Sequence, residues 1–191
     1  MQSSAAAFYC RVVRHLRRRH LQWYQHYIRL KCLPHGIKIG KGTTIYPGAS
    51  LINQYGSGIV IGCHSEVLRW ACLWTYGGSI EIGDYTSINP LCMLYGQGGL
   101  RIGSRVKIAT QTVFIPSNHN FSDPTKPIMD QGLTNKGIEV GDDVWFGTGV
   151  RVLDGVKIVS GCVVGAGCVV SRSLEVPGVY VGVPARLIRR R

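Results

Sequence analysis

The chain predicts an all-β solenoid: a parallel β-helix of hexapeptide repeats, preceded by one α-helix and interrupted by one long loop. Three observations predict it. A six-residue beat runs through most of the sequence, and a fixed period marks stacked repeats. A second motif, "YGSGIVIG", "YGGSIEIG" and "YGQGGLRIG" from Tyr55, Tyr76 and Tyr95, recurs every 19 to 21 residues, about the length of one coil. The helical patterns that an ordinary α/β sheet needs between its strands are missing.

Residues 1–36 form a basic amphipathic helical segment ahead of the beat. Phe8, Val12, Leu16, His20, Tyr24 and Tyr27 recur at helical spacing with arginines between them, and Pro34 marks the end. No Asp or Glu occurs before Glu66, whereas Arg11, Arg14, Arg17, Arg18, Arg19, Arg29, Lys31, Lys38 and Lys41 all precede it. Two compatible roles follow. The helix caps the open end of the coil stack and covers its strand edges. It also suits a membrane surface or another polyanion, with basic side chains flanking Trp23 and the tyrosines.

The solenoid occupies 37–191. From Val140 the blocks read VGDDVW, FGTGVR, VLDGVK, IVSGCV, VGAGCV, VSRSLE and VPGVYV. Earlier blocks begin at Ile39, Ile61, Ile82 and Ile102. Each block is one short strand and a tight turn. Its first residue points into the coil axis, and its fifth, also inward, is small enough to fit near a corner. Three blocks make one triangular coil, and stacking buries a core that no single coil could bury. The small excess over 18 residues implies one bulged corner where glycines supply positive φ. Cys92, Cys162 and Cys168 fall at fifth positions and read as core residues.

Composition narrows the setting. The formal charge is +12, with a second basic cluster at Arg186, Arg189, Arg190 and Arg191. Such a field favours nucleic acid, anionic lipid or phosphorylated small molecules. The seven cysteines form no CxxC pair, which fits a reducing cytoplasm better than a disulfide framework or zinc knuckle. No apolar run approaches the roughly 18 residues that span a bilayer, and the N-terminus lacks the apolar core of a signal peptide.

The beat stops at "IPSNHNFSDPTKP". It lapses over loop 120–137, a polar stretch holding Pro124, Pro127 and Gly132, and resumes at Ile138. Loops of that length in a compact solenoid are usually functional. His119 stands at its root. A side chain within the regular coil either fills the core or faces bulk solvent; a general base needs a cleft wall, which this position supplies.

"SINPLCMLYGQGGLRIG", "NHNFSDPTKPIMDQG", "IEVGDDVWFGTGVRVLDGVKI", "VVGAGCVVSRS" and "VGVPARLIRRR" together resemble the left-handed β-helix (hexapeptide-repeat) acyltransferases, most nearly the bacterial sugar O-acetyltransferases of polysaccharide synthesis. The resemblance covers about residues 37–190 and supplies the left-handed coiling, opposite to the usual crossover rule. It implies a homotrimer with acetyl-CoA as cosubstrate in a cleft between copies, a saccharide acceptor and no metal. His119 matches the family's catalytic histidine. Asn89, at an exposed second position, would orient the acceptor or the acetyl group. Asn118 or Asp123 would fix the His119 tautomer, with a turn cap as the alternative for Asp123. Trp145 would pack beside the cleft or cover the trimer seam. Gly147, Thr148, Gly165 and Ala166 match the pantetheine path, where small residues allow close approach. Ser171, Arg172, Arg186 and Arg189 match the nucleotide end, where cations suit phosphates.

Rival functions are weaker. A carbonic anhydrase of the same fold needs three histidine ligands, and the coil region offers His64 and His119. A non-catalytic assembly module leaves the loop histidine without a purpose. The basic helix carries no nucleic-acid recognition motif. N-acetylation of an amino sugar is the nearest enzymatic alternative. The expected location is the cytoplasm, at the inner face of the membrane if the helix makes peripheral contact there.

Overall fold

The computed structural model describes residues 2–191, with side chains described at 13, 15, 16 and from 19 onward. The side chains of Phe8, Cys10, Arg11, Val12, Arg14, Arg17 and Arg18 lie outside the described residues. Helix α1, Gln2–Cys32, leads through a short 3-10 turn, Leu33–His35, into the solenoid. About six coils follow, over 37–52, 58–74, 79–95, 100–115, 138–153 and 157–170. Their strands stack in parallel into three sheets, called faces A, B and C in the order the chain meets them. Face B ends in the one antiparallel addition, where Arg186–Arg190 pairs with Gly178–Val181.

The beat maps onto burial as expected. First-position residues such as Ile45, Ile61, Val67, Leu73, Ile88 and Phe146 are buried, as are the fifth-position residues Val144, Val150, Cys162 and Cys168. Fifth-position hydroxyls on the A/B corner bond between coils rather than lying idle. The Ser65 amide donates to Thr43 Oγ1 at 3.0 Å, Thr86 N to Ser65 Oγ at 3.0 Å, and Val106 N to Thr86 Oγ1 at 3.1 Å. A buried hydroxyl without a partner would cost about 1–3 kcal/mol, so this ladder is what admits polar residues to the core.

The corners differ from expectation in one respect. Glycine supplies positive φ at the bulged C/A corner, at Gly77, Gly99 and Gly155, joined there by Tyr55 and Tyr76. At the other two corners the fourth position is left-handed even where it is His64, Trp70, Tyr85, Arg105 or Gln111. Left-handed backbone costs a non-glycine residue about 1–2 kcal/mol. The compensation is pairing: in that conformation His64 N reaches Lys41 O at 2.9 Å, Tyr85 N reaches Cys63 O at 2.9 Å and Arg105 N reaches Asp84 O at 2.8 Å, each in the preceding coil.

Helix α1 caps the first coil. Tyr24, Ile28 and Cys32 pack on the core. Gln25 acts as a strand would: its Oε1 accepts from Ile45 N at 2.9 Å and its Nε2 donates to Ile45 O at 2.7 Å. Arg29 donates to the carbonyls of Ile39, Gly40 and Thr43. The open edge is thereby closed, as a solenoid end requires.

Candidate active site

The long loop leaves the solenoid through a two-stranded neck. Asn118–His119 pairs antiparallel with Leu133–Thr134, setting His119 opposite Leu133 and Asn118 opposite Thr134. Side chains alternate along such a ribbon, so His119 and Asn118 project to opposite sides. Asn120 locks the far side: its Oδ1 accepts from Thr134 Oγ1 at 2.6 Å and its Nδ2 donates to Gln131 O at 3.1 Å. Gln131 then holds the tip, donating to the carbonyls of Asp123 and Lys126 and accepting from Asp123 N. At the return, Asp154 Oδ1 accepts from both Lys136 N and Gly137 N at 2.9 Å. His119 is exposed on this braced neck, and its imidazole makes no hydrogen bond among the described residues.

Neither expected partner bonds to His119 in this structure. Asp123 does not orient His119. Its Oδ1 accepts from Thr125 Oγ1 at 2.6 Å and Thr125 N at 3.0 Å, and Oδ2 faces Lys126 at 3.5 Å. The Thr125 hydroxyl, then its amide, hold the Asp123 carboxyl below its ordinary value; the residue caps a turn. Asn118 makes no side-chain hydrogen bond to His119 among the described residues, and the alternation of the ribbon turns it to the other side.

The other predicted residues gather elsewhere. Asn89 sits on the B/C corner and is half-buried rather than exposed, its Nδ2 donating to Ile108 O at 2.8 Å. Successive coils place Ala109, Gly147 and Gly165 beyond it, and Thr110, Thr148 and Ala166 at the adjacent position. Thr148 and Ala166 are exposed, forming a ridge of small side chains along the solenoid. Gly147 also has a packing reason to be small. An added Cβ there would lie 2.6 Å from Ala166 N, and one at Gly165 2.9 Å from Val181 Cγ1, so both glycines serve coil stacking. Trp145, 56% exposed, lies on face B, where the row continues through Val163 and Val179 to Arg189. Arg186 begins the same strand, while Ser171 and Arg172 are exposed just past the last strand of face C. Sequence reading missed Arg151, whose guanidinium ties the ridge from behind through the carbonyls of Gln111 and Gly149, at 2.9 and 2.8 Å.

His119 and the ridge are therefore on opposite edges of face C, with the strand Val113–Ile115 between them. One chain does not bring the two halves together. Among the described residues no group of three or more His, Cys, Asp or Glu gathers to hold a metal, and His64 stacks on Tyr85 at 5.1 Å, far along the coil from the neck.

No family model matches the chain. A probable acetyltransferase of Mycobacterium tuberculosis is 28% identical over 154 residues, which are 80% of this chain and 49% of that protein; the chain thus spans about half of that relative's length. A variant of AntD, an N-acyltransferase from Bacillus cereus, in complex with dTDP-4-amino-4,6-dideoxyglucose and coenzyme A, superposes with a TM-score of 0.74 at 27% identity, over 85% of this chain and 89% of that one. AntD with dTDP and 3-hydroxybutyryl-CoA gives 0.74 at 26% identity, over 85% and 88%. A maltose O-acetyltransferase from Clostridium difficile 630 shares the fold, with a TM-score of 0.54 at 19% identity over 85% and 74%. The solenoid matches the left-handed β-helix of acyltransferases, and the chain is similar in sequence to hexapeptide-repeat acyltransferases.

Proposed function

We propose that the protein is an acetyl-CoA-dependent O-acetyltransferase acting on a saccharide hydroxyl, in a cell-surface polysaccharide or its precursor, as a C₃ homotrimer in the cytoplasm. The observation that carries this reading is His119: an exposed imidazole on a braced neck, without a hydrogen-bond partner among the described residues and separated from the ridge by the width of face C. Packing copies around a threefold axis would set the neck of one against the Asn89–Ala166 ridge of the next. The half-buried apolar residues on the outside of face C, including Met93, Val113 and Ile115, favour such a contact.

In that cleft His119 takes the proton from the acceptor hydroxyl as its oxygen attacks the thioester carbonyl. Imidazole can take up a proton and give it back, which suits a base working there. Backbone N–H groups along the cleft steady the tetrahedral oxyanion. Collapse breaks the C–S bond, and the imidazolium returns its proton to the departing thiolate. The exposed Thr148 and Ala166 flank the pantetheine arm, with Trp145 beside it, and Arg172, Arg186 and Arg189 face the nucleotide phosphates. A hydroxyl must lose its proton as it attacks, which is the task a lone imidazole base serves. The second reading, N-acylation of an amino sugar, is favoured by the likeness to AntD with its amino-sugar nucleotide.

The test is acetyl-CoA turnover against hydroxyl and amino saccharides, with mass spectrometry of the products. An acetyl group removed by mild alkali is an ester and supports the first reading; a stable one is an amide and supports the second. His119→Ala lowers kcat by about 10²–10⁴-fold and leaves acetyl-CoA binding intact. Near-normal turnover by the folded variant would overturn the role given to His119.

A further inference from the structure

Helix α1 uses only one side to cap the solenoid. The opposite side carries Leu16, Trp23, Tyr27 and Leu30, which are 59%, 73%, 57% and 73% exposed. Their spacings of 7, 4 and 3 residues align them in one stripe along the helix. Four large side chains in a row in water are costly on a surface that the fold itself has no use for. Beside the stripe, Arg19, Trp23, His26 and Arg29 line a groove of about 730 Å³ between the helix and the first coil. The helix and the first coil carry charge of one sign, since no acidic residue precedes Glu66, which stands in the second coil beside Thr44 at the groove's far edge.

We propose that this end of the molecule docks on an anionic lipid bilayer. The stripe enters the boundary between headgroups and acyl chains, where Trp and Tyr are at home, and Arg19 and His26 face lipid phosphates across the groove. Contact is peripheral: no described helix is long and apolar enough to cross a membrane. The two features together select the occupant. A nucleic acid would meet the cations but leave the stripe in water. The stripe of a second copy would cover the apolar side chains but bring two basic flanks together, a repulsion that nothing acidic in the segment relieves. An anionic bilayer satisfies both. The inference is independent of the acyl-transfer reading.

The test is flotation of the full-length chain with phosphatidylcholine vesicles, with and without phosphatidylglycerol. The protein floats with the mixed vesicles, and added salt weakens the association. Trp23→Ser combined with Leu30→Ser lowers the apparent affinity at least about tenfold, given the value of burying such side chains, and Arg19→Glu lowers it about fivefold or more. All three positions are exposed, and circular dichroism checks that the variants remain folded. Equal flotation with pure phosphatidylcholine overturns the proposal, as does flotation that the double variant leaves unchanged. So does a protein that ignores vesicles while the double variant shrinks its assembly, which identifies a second copy on the stripe. Retention on DNA in place of vesicles overturns it as well.

Discussion

Faces A and C both turn large apolar residues inward, two per strand on A and one per strand on C, and they differ most in what they turn outward. Face A carries Glu81, Arg101, Glu139 and Lys157, and two ion pairs link neighbouring coils: Arg101–Glu81 and Lys157–Glu139, each at 3.1 Å. Face C carries Cys72, Met93, Val113 and Val169, with Trp74, Tyr95 and Ile115 in the next row, all half-buried; the exposed Arg151, between Val113 and Val169, is the charged residue in the first row. A ladder of opposite charges is content in water; an apolar sheet face is not. The proposed site follows that division. Its two halves stand on the two edges of face C, so the surface that asks for a partner also lies between the parts that a partner would unite.

The strongest way to break this comparison is to charge the apolar face. Met93 and Val113 are register partners in adjacent coils, so Met93→Glu with Val113→Glu sets like charges side by side. The expected outcome is a folded monomer by light scattering, with turnover down by at least about 10²-fold because half of each site is lost. The matching exchange on face A, Glu81→Arg with Arg101→Glu, leaves both assembly and turnover unchanged. A trimer that survives charges on face C would move the interface elsewhere, with the Trp145 row of face B as the next surface to test.

Inside and outside of the solenoid should separate by stability. Phe114 is fully buried beneath face C, edge-on to Phe146 with ring centroids 5.2 Å apart. Phe114→Ala should cost about 3–5 kcal/mol in urea denaturation. Arg101→Ala, which removes an exposed pair on face A, should cost less than about 1 kcal/mol. Comparable losses at the two positions would mean that the charged ladder holds the coils together more than the core does.

The thiols sharpen the comparison further. Cys92 is inward, and burial pushes its thiol up to about 11; Cys72 faces outward on face C, with its thiol also raised by burial. Cys92 should resist alkylation at neutral pH until the chain unfolds. Cys72 should react slowly in the assembly and faster in the Met93→Glu, Val113→Glu variant. Equal Cys72 rates in the two proteins would show that face C is uncovered in both.

The beat made the inward positions legible, because burial repeats with the period of the chain: Ile61, Ile82 and Phe146 are where the spacing puts them. It also marked His119, since a histidine at a broken period is conspicuous. It was silent about outward positions. Val113 on face C and Lys107 on face B occupy the same place in their blocks, and only the assignment of blocks to faces shows which surface is apolar. The beat also left open which edge of the coil each site residue occupies: the fold sets Asn89 and His119 on opposite corners of face C. The supports of the loop were hidden for a related reason. Asn120, Gln131 and Asp154 act through backbone carbonyls and amides, and those partners leave no mark on residue type.

The smallest effect concerns Asp123, and it separates a residue that shapes the loop from one that serves the histidine. Its carboxyl is held below the ordinary Asp value of about 3.9, chiefly by the Thr125 hydroxyl and then by the Thr125 amide. A lowered value means that the turn's stabilisation is complete above the unfolded value and is lost as pH falls through the folded one. The Thr125 amide resonance should therefore titrate with a midpoint below that of a free aspartate and lose its pH dependence in Asp123→Ala. Because the carboxylate touches Thr125 and Lys126 and not His119, Asp123→Ala should change kcat by no more than a few-fold, with any effect appearing in the acceptor KM. A fall in kcat as deep as that of His119→Ala would show that the carboxylate swings to the imidazole during turnover, and the cap seen here would then be its resting position.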